Sequence, residues 1–63
     1  MGEKLMKYYK FVDEKGGMQA KMRLAMRTAM PSHLAKDAPD SPENLQKFFD
    51  AAREILGADV PKL

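Results

Sequence analysis

His33 is the one histidine of the chain, and any nucleophilic or metal chemistry has to start from it. Ser32 stands beside it, but adjacent residues on a helix or turn point in different directions. A Ser–His pair therefore does not form, and a triad also requires an orienting acid. Asp37 lies four residues beyond the histidine and Asp40 a little further. Two or three such donors in a flexible loop, without cysteine, form a weak metal site at best. Asp13/Glu14 and Asp50/Glu54 pair carboxylates on polar helix faces. General acid–base work needs burial to move a pKa, and these positions provide none. Gly16-Gly17 lacks the preceding strand and the Gly-Lys-Ser/Thr ending of a phosphate loop. The expectation is a protein without catalytic residues, metal or cofactor, and hence not an enzyme.

The stretch with the most unusual residue types is Met18, Met22, Met26 and Met30, spaced strictly by four. On a helix each step of four advances the direction by about 40°, so the methionines form one ridge. Two readings compete. In the first the ridge is a core face, its flexible thioethers filling gaps around Phe48 and Phe49; this is the expectation. In the second it is an adaptable binding surface for another protein, because methionine repacks around different partners. Leu24 points away from the ridge, close to Ala20, and gives the helix a second, weaker apolar strip. A helix with apolar material on two sides is sandwiched in its own fold or shared with another chain. Met22, Leu24, Met26 and Met30 are accordingly the candidate partner-binding residues, toward a protein partner or a second copy.

The same segment is basic. Residues 15–36 carry Lys15, Lys21, Arg23, Arg27 and Lys36 and no acid, whereas Asp37, Asp40, Glu43, Asp50, Glu54 and Asp59 follow. Such segregation marks an anionic partner, or a basic helix lying beside an acidic one; the internal explanation is preferred. The nucleic-acid alternative makes this helix the recognition element of a helix-turn-helix corner, with Gln19, Lys21, Arg23 and Arg27 toward bases or phosphates. Against it, Lys21 lies about 160° around the helix from Arg23. The formal net charge of +2 is also small for a dedicated DNA binder.

These residues have to be positioned by helices. The clearest is 42–56, with Ser41 as N-cap, Pro42 at the first helical position, Glu43 in the first turn and Gly57 as terminator. Leu45, Phe48, Phe49, Ala52, Ile55 and Leu56 recur there at helical spacing. A first helix, about 3–15, clusters Leu5, Tyr8, Tyr9 and Val12 on one face, with Phe11 at its margin. Its tyrosines are expected to give ring area to the core and keep their hydroxyls near water. Gly16-Gly17 ends it with a sharp reversal into a second helix at 17–30, closed by Pro31. A further helical turn fits at 32–36, with Leu34 pinned to the core.

The fold class is therefore all-α, a small bundle of three main helices (3–15, 17–30 and 42–56) and one extra turn. It forms a single domain over 1–63, with 31–41 an ordered connecting loop and 58–63 a loose tail from which Val60 and Leu63 can fold back. A chain of 63 residues without cysteine has a modest core, burying about 60% of its unfolded surface. No disulfide can staple it. Its longest apolar run, Leu24-Ala25-Met26, is far short of a membrane span or signal core. The expectation is a small cytoplasmic interaction module that leaves some apolar surface for a partner.

Overall fold

The computed structural model describes residues 1–57 and 59–63. The chain is all-helical: α1 (Glu3–Thr28), α2 (Ser32–Ala35) and α3 (Pro42–Leu56), with α1 packed along α3 and α2 set against α1. No strand occurs among the described residues. Ala58, the first residue of the expected tail, lies outside the described residues.

Helix α1 is two arms joined across a kink. Gly17 has φ 74° and ψ −164°, a combination open essentially to glycine alone. A straight helix of 26 residues would run about 39 Å at 1.5 Å per residue. The longest dimension of the molecule is 25 Å, so the arms 3–16 and 18–28 must fold toward each other. Gly17 supplies the dihedrals, and a Cβ there would meet nothing within 4 Å. Gly16 supplies room, since a Cβ on it would stand 2.6 Å from the Ala20 Cβ and 3.2 Å from Leu56 Cδ2. The glycine pair thus has two separate jobs, one conformational and one steric.

The core is drawn from three faces. The N-terminal arm gives Leu5, Tyr8, Tyr9 and Val12, the C-terminal arm Ala20, Leu24 and Thr28, and α3 Phe48, Ala51 and Ala52. Phe48 joins α3 to the N-terminal arm. Its ring lies 5.7 Å from that of Tyr9 at 72° and 6.4 Å from that of Tyr8 at 39°, the edge-to-face and tilted geometries that ring quadrupoles favour. Phe49, one step around the helix, is half-buried with Arg53 and Lys62 each 5.6 Å from its ring centre.

Both ends of α3 follow its local chemistry. The Asn44 amide donates to Ser41 Oγ at 3.2 Å, and the Gly57 amide donates to the Arg53 carbonyl at 2.7 Å. The start of α1 is different. Gly2 offers no side-chain cap, and the Asp40 carboxylate accepts instead from the amides of Lys4 at 3.1 Å and Leu5 at 3.3 Å.

The connection 31–41 is ordered around a close backbone approach. The Gly2 amide donates to the Lys36 carbonyl at 3.2 Å, and a Cβ on Gly2 would stand 1.9 Å from the Ala35 oxygen. This corrects the placement of Leu34, which is 52% exposed while Ala35 is fully buried. Where α2 touches the first turn of α1 there is no room for a branched side chain. After Gly57, side chains of the last five residues reach the rest of the fold. The Leu63 amide donates to the Tyr8 hydroxyl at 3.1 Å, and Val60 and Leu63 pack on the core.

Candidate interaction surface

Placing the methionines overturns their expected role in the core. Met18, Met22 and Met26 are 68%, 59% and 80% exposed. The buried strip of the arm is Ala20, Leu24 and Thr28, which at about 100° per residue lies on the opposite side of the helix. Beside the kink that inward strip has to be small, because a Cβ on Gly16 would stand 2.6 Å from the Ala20 Cβ and 3.2 Å from Leu56 Cδ2.

The ridge of four also divides at its end. The helix stops at Thr28, with Ala29 in the left-handed conformation at φ 55°. Met30, beyond that cap, turns back and packs on the core. Of the four residues marked for partner binding, Met22 and Met26 are therefore at the surface, Met30 is half-buried and Leu24 is inside. Met18 belongs to the surface stripe as well. Successive residues four apart on a helix are side-chain neighbours, so Met18, Met22 and Met26 form one continuous apolar strip about 12 Å long.

Thr28 shows how a polar residue is accommodated at this end of the core. Its hydroxyl donates to the Leu24 carbonyl at 2.7 Å and accepts from the Met30 amide at 3.3 Å. The Tyr9 hydroxyl donates to the Met30 carbonyl at 2.5 Å. Burial pushes the Tyr9 phenol above its usual range, partly offset by hydrogen bonding with Thr28. Among the described residues no buried side-chain nitrogen or oxygen lacks a partner.

The four residues of the nucleic-acid alternative do not share one face. Gln19 and Arg23 are exposed along one edge of the methionine stripe. Lys21 is half-buried on the other side, lining a hollow of about 250 Å³ with Tyr9, Lys10, Asp13 and Ser32. Arg27 is held by Glu54, its Nη1 donating to both carboxylate oxygens at 3.0 and 2.9 Å. That contact is the single ion pair between helices among the described residues. The basic arm and the acidic α3 therefore neutralise each other at one point only. Lys15 lies 5.9 Å from the Phe11 ring, and the exposed Arg23 has no carboxylate partner among the described residues.

His33 is exposed on α2. Among the described residues no group of three histidine, aspartate or glutamate side chains converges as a metal would require, and no helix is long and apolar enough to cross a membrane. No family model, curated protein or solved structure matches the chain.

Proposed function

We propose that this chain is a small non-enzymatic helical module that binds another protein through the C-terminal arm of α1. The observation that carries this reading is the solvent exposure of Met18, Met22 and Met26 on the side opposite Ala20, Leu24 and Thr28. A helix that already buries one strip gains nothing in its own fold from a second apolar strip facing water. Scattered apolar residues are ordinary on a surface, but a contiguous row flanked by charge marks a contact face. Methionine suits that role, because an unbranched, polarizable side chain adapts its shape to the surface it meets.

A diazirine analogue of methionine, incorporated throughout the chain in the cells that express it, tests the reading. Light-induced adducts to a protein should concentrate at positions 18, 22 and 26, not at 30, and the double substitution Met22→Gln and Met26→Gln should also remove the adduct at position 18. Adducts to lipid alone, or to protein evenly at all methionines, would overturn it.

The nucleic-acid alternative draws on the adjacent Gln19 and Arg23, with Lys21 and Arg27 beyond them. It requires an affinity for DNA or RNA that falls steeply as salt rises. Binding that ignores salt, or none at low salt, removes it.

A further inference from the structure

We infer that the partner presents an acidic amphipathic helix, laid across the methionine stripe of α1; this rests on reading the stripe as a protein-binding face. Two features of the stripe select that chemistry. The first is shape. Met18, Met22 and Met26 stand at intervals of four, which is the spacing of the ridge that seats between two side-chain rows of a second helix, crossing at about −50°. The second is charge. The stripe runs between Arg23 on one flank and Lys21 on the other, and the whole segment 15–36 contains no acid. Arg27 is the one cation there that forms an ion pair among the described residues. A helix carrying carboxylates on both sides of an apolar row complements each flank at once.

A second copy of this chain meets the stripe poorly. Two-fold pairing sets the same patch against itself, so the cations that flank the stripe would face one another across the pair. An anionic bilayer is also a weaker match. Helices that lie in the membrane interface bury leucine and aromatic anchors. This strip offers three methionines, and the exposed face of the arm has no aromatic residue.

The test uses two labelled, helix-stapled peptides of about five turns. They share one leucine strip, flanked by glutamate in one peptide and by lysine in the other. Fluorescence anisotropy is read as the intact protein is titrated in. The glutamate peptide should bind at least about tenfold more tightly than the lysine peptide, and less tightly as salt is raised. Arg23→Glu should remove most of that preference. Met22→Gln with Met26→Gln should abolish binding while the thermal transition of the protein stays where it was. Equal affinity for the two peptides, or binding that survives the methionine double variant, overturns the proposal. So does failure to bind either peptide when the protein instead co-sediments with vesicles of phosphatidylglycerol and phosphatidylcholine, or elutes as a dimer at the same concentration. If neither peptide binds but protein adducts persist at positions 22 and 26, the acidic helix is wrong and the module reading stands. If the adducts are missing too, both fall.

Discussion

Asp40 accepts a hydrogen bond from the Leu5 amide at 3.3 Å across a separation of 35 residues, and its other oxygen takes the Lys4 amide at 3.1 Å. A negative group is thereby placed at the positive end of α1 by a different part of the chain. Asp40→Ala should cost about 1 kcal/mol, the usual loss when a capping side chain is removed. For a domain this small that lowers the midpoint of thermal unfolding by about 4–8 °C. Asp40→Asn, which keeps one acceptor, should recover part of the loss. Equal melting of wild type and Asp40→Ala would show that the contact contributes nothing.

Gly17 is held at φ 74° and ψ −164°, and space around it is open. Gly17→Ala should therefore destabilise by conformational strain alone, about 1–3 kcal/mol. D-alanine, introduced by chemical synthesis, prefers positive φ and should restore most of it. Gly16 behaves oppositely, because its problem is the 2.6 Å approach to Ala20, which either alanine enantiomer at 17 leaves untouched. Urea midpoints of the three synthetic chains decide the point, and an L-alanine chain as stable as glycine would refute the strain.

What could be read before folding follows the range of the physics. Helix α3 was legible end to end, since Ser41, Pro42, Gly57 and the Phe48 periodicity are all local signals. The reversal at Gly16-Gly17 was legible for the same reason. The side of the second arm that faces inward was not. Ala20-Leu24-Thr28 and Met18-Met22-Met26 both repeat by four on opposite sides of one helix, and hydropathy alone favours the methionines. Which side turns inward depends on the angle the chain takes at Gly17, and no periodicity encodes that angle. Asp40 and Gly2 were missed similarly: each acts on residues more than thirty positions away. Val60 and Leu63 carried a hint in their hydrophobicity, but the Tyr8 hydroxyl that receives the Leu63 amide carried none.

Tyr9 gives the fold an alkaline limit. Its phenol is raised above the usual tyrosine range, first by burial, with hydrogen bonding to Thr28 acting the other way. A raised folded-state pKa means that the protonated form is the one the fold favours. Its contribution is fully present below pH 10 and is lost as pH rises through the folded-state value, because the unfolded chain ionises first. Stability measured from pH 8 to 11 should fall at the upper end. Tyr9→Phe should be less stable at neutral pH, having lost the bond to the Met30 carbonyl, but should fall less steeply above pH 10. Parallel curves for the two proteins would mean that Tyr9 does not carry the dependence.

The inversion of the second arm is testable by contrasting its two strips. Leu24 is fully buried, so Leu24→Ala should cost about 2–5 kcal/mol through lost contacts and the cavity left behind. Met22→Gln and Met26→Gln, at exposed positions, should each stay within about 0.5 kcal/mol of wild type. Chemical oxidation reports the same geometry without mutation. Met18, Met22 and Met26 should convert to sulfoxide quickly and leave the circular dichroism spectrum unchanged, whereas the half-buried Met6 and Met30 should lag. Had the methionines been inside, as their hydropathy suggests, oxidation would be slow at 22 and 26 and would unfold the chain as it proceeded. Fast, harmless oxidation of the stripe beside a severe Leu24→Ala is the one combination that an outward-facing methionine row requires.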